Sequence, residues 1–123
     1  MANLVVWFDI PVKDLKRATQ FYEQVLNLEI EISEEYQMAV LPHSGNDVAG
    51  CLVVDKPEVN APSGKGALLY FNVEGRMADA CKKATANGGS ILEAAQKIGE
   101  HGFRAVIKDS EGNRVALHAS TSK

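Results

Sequence analysis

The chain has 123 residues, 46% hydrophobic and 24% charged, the make-up of an ordinary globular protein with room for one compact domain and a conventional core. A formal net charge of -3 offers no broad positive field for a phosphate backbone, so no nucleic-acid partner is expected. The start of the chain has no basic region ahead of an apolar run, and no later stretch approaches the roughly eighteen apolar residues of a membrane span. Cys51 and Cys81 show no CxxC spacing and suggest neither a disulfide framework nor a zinc site. A cytoplasmic protein away from membranes is the expectation.

In chain order, residues 4 to 10 (LVVWFDI) read as a strand stopped by Pro11, which has no ladder donor. Asp14 is a plausible N-cap. After it Leu15, Ala18, Phe21, Tyr22, Val25 and Leu26 recur with helical spacing and one buried face. LEIEI (28 to 32), YQMAVL (36 to 41) and DVAGCLVV (47 to 54) read as three short strands of a meander. The turn-rich stretch from Asp55 to Gly66 then interrupts every periodicity. ALLYFNV (67 to 73) restarts the pattern as a strand. Met77, Ala80, Cys81 and Ala84 mark a helix that stops at Asn87-Gly88-Gly89, where glycine supplies positive φ. SILEA, GFRAVIK and NRVALHA supply three more strands.

The same order, βαβββ, therefore occurs twice, and the halves agree in detail. Phe8-Asp9-Ile10 parallels Phe71-Asn72-Val73, Tyr36-Gln37-Met38 parallels Phe103-Arg104-Ala105, and Gly45-Asn46-Asp47-Val48-Ala49 parallels Gly112-Asn113-Arg114-Val115-Ala116. One domain over 1–123 is expected, with a first module at about 3–55, a linker at 56–66 and a second module at about 67–120. Its class is α+β, two tandem βαβββ modules.

With WFDIPVKDLKRATQFYEQVLNLEI at the start, LLYFNVEG and a helix ending ANGG in the middle, and HGFRAVIKDSEGNRVALH at the end, the sequence resembles the vicinal oxygen chelate superfamily. That superfamily holds the glyoxalases, bleomycin-resistance proteins and extradiol dioxygenases, and the resemblance is to its lactoylglutathione-lyase-related branch. It implies strands curled into a cupped, barrel-like mixed sheet with helices outside, and often two chains associating, so a homodimer is expected. In metal-dependent members the ligands are His, Gln or Glu on the first and last strands of each module. Carried over, those positions fall on Trp7, on Leu68 or Tyr70, on Ala116, and near Ala49, Gly50 or Cys51. The usual four-ligand set is absent. No cofactor is expected, with a divalent metal at rebuilt positions left open.

Strand alternation places the following on the face where family ligands would stand: Trp7, Asp9, Cys51, Leu68, Tyr70, Asn72, Ala116 and His118. An aromatic wall with a few polar groups is how small-molecule pockets are lined. Asp9 inside an apolar strand can act as a general base or can simply bond to backbone or solvent. His118 can carry a proton, bind a metal, or sit half exposed at a strand end. Cys51 reads as a small hydrophobe sooner than a reactive thiol. His101 lies at the pocket mouth or in a solvated turn, while Arg104 and Arg114 hold an anionic ligand or line a solvated face.

Two functions follow. One is a glyoxalase-like enzyme on a small oxygen-bearing metabolite, with Asp9, Tyr70 and His118 as acid, base and orienting groups and Trp7, Cys51, Leu68, Asn72, His101, Arg104 and Ala116 as lining. The other is a metal-free protein that sequesters a small molecule in the manner of bleomycin-resistance members.

Overall fold

Each half of the chain builds its own four-stranded mixed sheet. The structure, a computed structural model, describes residues 3–45, 47–56 and 61–123. Asn46 of the GNDVA repeat and residues 57–60 of the linker lie outside the described residues. The first sheet comprises β1 (Trp7–Val12), β2 (Ile32–Ser33), β3 (Met38–Val40) and β4 (Ala49–Val54), with α1 (Leu15–Leu26) after β1. The second comprises β5 (Tyr70–Asn72), β6 (Ser90–Lys97), β7 (Phe103–Lys108) and β8 (Arg114–Ala119), with α2 (Met77–Ala86) after β5. The orders are β1-β4-β3-β2 and β5-β8-β7-β6, with β1/β4 and β5/β8 parallel and the other pairs antiparallel. Neither sheet closes on itself, which suits a cupped arrangement.

The helices form where the apolar spacing puts them. Asp14 caps α1 by accepting from the Arg17 amide at 3.0 Å, and Leu15, Ala18, Phe21, Tyr22 and Val25 are buried along one face. Met77, Ala80 and Ala84 do the same for α2. A single cluster joins the two halves: Ile10, Val12, Phe21 and Leu52 of the first pack with Val73, Met77, Ile107 and Leu117 of the second. Across the seam, the Phe8 and Phe71 rings meet edge to face, with centroids 6.1 Å apart.

Strand ends depart from the sequence reading for identifiable reasons. The first strand runs through Pro11 instead of stopping before it, because β1 is an edge strand and a missing amide there costs no ladder bond. Leu4, Val5 and Val6, expected within that strand, precede it and are exposed. LEIEI pairs only from Ile32, since the Ile30 amide donates to the Glu23 carboxylate of α1 and holds the chain to the helix. The meander strand expected at 36–41 pairs only over Met38–Val40, and the strand expected at 67–73 only over Tyr70–Asn72. β6 extends past Ala94 to Lys97, with two register shifts on the way.

Register also tests the internal repeat. Trp7 lies opposite Ala49 as Tyr70 lies opposite Ala116, and Asp9 opposite Cys51 as Asn72 lies opposite His118. The first-strand and last-strand parallels between the halves therefore hold. The middle one does not: His118 pairs with Arg104, and its counterpart Cys51 pairs with Val40, so Val40 and not Gln37 occupies the place of Arg104.

Glu111, in the turn between β7 and β8, ties the second module to the first. Its carboxylate accepts from the Lys13 and Asp14 amides at 2.9 Å each and from Arg17 Nε at 2.7 Å. Burial pushes the Glu111 carboxyl up, but Arg17, the two amides and Ser110 outweigh it and hold the pKa down to about 2. Nearby, the Tyr22 hydroxyl donates to Asp109 at 2.7 Å, and Asn113 Nδ2 donates to the Pro11 carbonyl at 2.8 Å. Burial first and then the Asp109 charge keep Tyr22 protonated. Tyr22, which the helical pattern makes a packing residue, is thus also a polar anchor.

Candidate functional site

In β1, Phe8, Ile10 and Val12 face the core, so alternation turns Trp7 and Asp9 to the open face of the sheet, away from the helices. There the Trp7 indole N–H donates to Asp9 Oδ1 at 2.9 Å, and Cys51 Sγ donates to the same oxygen at 3.3 Å. Burial, then the neighbouring Asp9 carboxylate, pushes the Cys51 thiol up to about 12, so it stays protonated at neutral pH. Asp9 also borders a cleft of about 310 Å³ between β1 and the start of β8, reached by Lys65 and Arg114. Arg114 spends one guanidinium nitrogen on the Gly66 carbonyl at 2.8 Å.

The open face of the second sheet is built from different chemistry. Tyr70, Ile98, His101, Arg104 and His118 line a pocket of about 460 Å³. Arg104 Nη1 donates to the Tyr70 hydroxyl at 2.6 Å, which raises the Arg104 pKa further above its ordinary value, and its guanidinium carbon stands 5.9 Å from the Tyr70 ring centroid. The Tyr70 and His118 rings lie edge to face at 6.5 Å. His118 Nε2 is 2.5 Å from the His101 carbonyl, a bond in which only the ring nitrogen can be the donor. That leaves Nδ1 as the nitrogen free to take or give a proton.

Local backbone explains how His101 comes to serve His118. A 3₁₀ turn over Gly99–His101 ends at Gly102, whose φ is +90° and whose absent Cβ would lie 2.6 Å from the Ala119 carbonyl oxygen. Only glycine fits both demands. The turn between β6 and β7 therefore sits tightly on the end of β8, with the His101 carbonyl at the His118 ring.

The residues expected at one site are thus divided between two. Asp9 belongs with Trp7 and Cys51, whereas Tyr70, His118, His101 and Arg104 share the second pocket. Leu68 and Asn72 line neither cluster: with Phe8, Leu41 and Tyr70 they border an apolar cleft of about 560 Å³ at the seam of the modules. Asn72 Oδ1 accepts from the Glu74 amide at 2.9 Å, a local turn bond. Cys51 and Ala116, expected among the lining residues, are wholly buried and back the wall without offering surface to a ligand.

Ile98 lines the pocket without any signal in the sequence, since a lone isoleucine after a strand is ordinary. The Asp109-Ser110-Glu111-Gly112-Asn113 turn did carry one, its acids and amide clustered around a glycine, and it proved to be the latch between modules. Of the expected ligand positions, register makes Tyr70 the second-module counterpart of Trp7, and both are aromatic. Among the described residues no three His, Cys, Asp or Glu side chains gather where they could hold a metal ion. At the expected ligand positions the side chains of Trp7, Tyr70 and Ala116 are not usual donors for the divalent metal that the resemblance implies.

Comparison with known proteins agrees with this architecture. A glyoxalase/bleomycin resistance protein from Albidiferax ferrireducens T118 superposes with a TM-score of 0.78 at 17% identity, covering 95% of this chain and 98% of that one. A glyoxalase-related enzyme from Fulvimarina pelagi gives 0.76 at 17%, covering 95% and 88%. The fosfomycin resistance protein FosX from Listeria monocytogenes gives 0.70 at 16%, covering 96% and 91%. At such identities the likeness is one of fold. No curated relative matches the chain at a significant level. The sequence profile of one family matches residues 4–117, nearly the whole length. The chain belongs to the Glyoxalase/Bleomycin resistance protein/Dioxygenase superfamily.

Proposed function

We propose that the chain is a single glyoxalase-like domain that takes up a small oxygen-bearing molecule on the open face of its second module and acts on it by acid–base chemistry. The observation that carries this reading is one constellation in one pocket: a phenol fixed by Arg104 beside an imidazole fixed by the His101 carbonyl. Tyr70 would donate a hydrogen bond to a substrate oxygen, polarising it. His118 Nδ1 would take or return the proton. Asp9, bonded to Trp7 and Cys51, is left out of this scheme. No step passes through a metal or cofactor.

The test follows conversion of a panel of small hydroxy and carbonyl compounds by proton NMR, with native protein, Tyr70→Phe and His118→Gln. Turnover that falls about a hundred-fold or more in His118→Gln, the usual scale of a lost acid–base group, supports the reading. Turnover undiminished in both variants would overturn it.

The second reading is sequestration without turnover, favoured by the apolar cleft of about 560 Å³ that Tyr70 also borders. Under it, compounds bind and are recovered unchanged. The motifs at both ends of the chain support assignment to the lactoylglutathione-lyase-related branch, and the composition supports a cytoplasmic setting away from nucleic acid and membranes. No helix among the described residues is long and apolar enough to cross a membrane. We also propose a homodimer, supported by the exposed apolar Leu4, Val5, Val6, Leu28 and Val48, of which Val5, Leu28 and Val48 border that same cleft. A monomer by light scattering at micromolar concentration would contradict it.

A further inference from the structure

We infer that the molecule taken up by the second-module pocket carries an anionic head, a carboxylate or its equivalent, attached to a small apolar or planar body. This rests on the reading of that pocket as the ligand site and adds the charge of what enters it. Arg104 has donors to spare. A guanidinium offers five N–H groups. Arg104 spends one nitrogen on Tyr70, while its Nη2 stands 3.8 Å from Glu93 Oε1, beyond hydrogen-bond length, and its Nε is buried without a partner among the described residues. The Glu93 side chain is half exposed, so water screens that ion pair.

Because the Tyr70 oxygen accepts from Arg104, its own O–H remains to be donated, and the adjacent cation makes it a stronger donor. Two donors of positive character therefore address one pocket. His118 adds a third group beside them and does not add negative charge. A carboxylate near His118, Glu74, is already engaged by the Ser120 amide at 2.9 Å and the Ser120 hydroxyl at 2.5 Å. Ile98 and the Tyr70 ring supply an apolar surface of the same pocket. A fork of N–H groups next to a phenol O–H matches a planar, two-oxygen anion better than a single neutral oxygen. In the first module the ladder position of Arg104 is Val40, so the cation is particular to the second.

The test uses matched probes on the full chain: benzoate with benzamide, and pyruvate with pyruvamide, which keep the body and change the charge. Affinities come from NMR titration read at the Tyr70 and His118 ring signals. Each anion is expected to bind about ten-fold or more tightly than its amide, the scale of a charge-assisted hydrogen bond. Arg104→Gln should erase that preference. Arg104→Lys, which keeps the charge and loses the fork, should retain part of it and guards against a variant that fails to fold. Equal affinity for anion and amide in the native protein, or a preference that survives Arg104→Gln, overturns the inference. If only neutral hydroxy and carbonyl compounds shift the two rings, the anion falls and the pocket stands. If no compound of either kind shifts them, both fall.

Discussion

The open faces of the two modules share a backbone plan and differ in every polar group. At matching ladder positions the first carries Trp7, Asp9, Cys51 and Val40, and the second carries Tyr70, Asn72, His118 and Arg104. In the first, the one carboxylate is turned inward on an indole and a thiol. In the second, a cation, a phenol and an imidazole are held by each other and by a backbone carbonyl, with their remaining hydrogen-bonding capacity directed to a pocket. Duplication thus fixes where side chains stand, and substitution at those places gives the two faces different chemistry.

The same contrast runs through the packing, where it can be broken most forcefully. Leu117, fully buried on β8 opposite Phe71, has Gly50 as its counterpart on β4 opposite Phe8. Leu117→Ala should cost about 3 kcal/mol in stability by chemical denaturation, since it leaves a cavity in the shared core. A loss under about 1 kcal/mol would mean that the second sheet relaxes around the gap.

Glu111→Gln should cost about 2 kcal/mol, because the backbone amides of Lys13 and Asp14 and the Arg17 guanidinium lose a charged acceptor. The pH dependence has a definite sign. The Glu111 carboxyl, held at about 2 in the folded chain against an ordinary 4.5, stabilises the fold above pH 4.5, and this contribution is lost as pH falls toward about 2. Native protein should therefore lose more stability across that window than Glu111→Gln does; equal losses would show that the latch does not tie the modules. By sequence alignment of the repeats, Ser44 stands at the Glu111 position in the first module, so no counterpart latch is expected there.

The reverse change at the glycine is smaller. A Cβ at Gly50 would fall 2.4 Å from the Phe8 ring, which must tilt to admit it, so Gly50→Ala should cost about 1 to 2 kcal/mol. An unchanged melting temperature would show that Phe8 has room to move. Least disruptive is a thiol titration with Ellman's reagent at pH 7.5. Cys81, partly exposed on α2, should react first, whereas buried Cys51, with its thiol pushed up to about 12, should react only on unfolding. Fast reaction of both would mean that the first open face is less closed than Cys51 implies.

The repeat, both helices and the identity of every strand were legible because periodicity and capping are local signals. α1 needed only Asp14 and its apolar spacing. Strand ends were not legible: whether Leu4 to Val6 pair depends on where β4 begins, and whether Pro11 ends a strand depends on its being at an edge. Of the second pocket, Tyr70 and His118 could be placed on one face from alternation, whereas His101, in a turn, and Arg104 stayed open between a pocket and a solvated surface. The division of these residues from Asp9 was not legible, since alternation gives a face and says nothing of how far apart two sheets hold their faces. The mismatch of Gln37 with Arg104 arose the same way, from matching residue types where only ladder register decides.

The most direct test of the difference between the two faces is to map ligand-induced shifts on the isotope-labelled chain with a panel of small hydroxy, carbonyl and carboxylate compounds. Trp7, the single tryptophan, gives one indole N–H signal that reports on the first face. Saturable shifts are expected at Tyr70, Ile98, His101, Arg104 and His118, with the Trp7 indole signal unmoved. Shifts centred on Trp7 and Asp9, with Tyr70 and His118 unmoved, would contradict it.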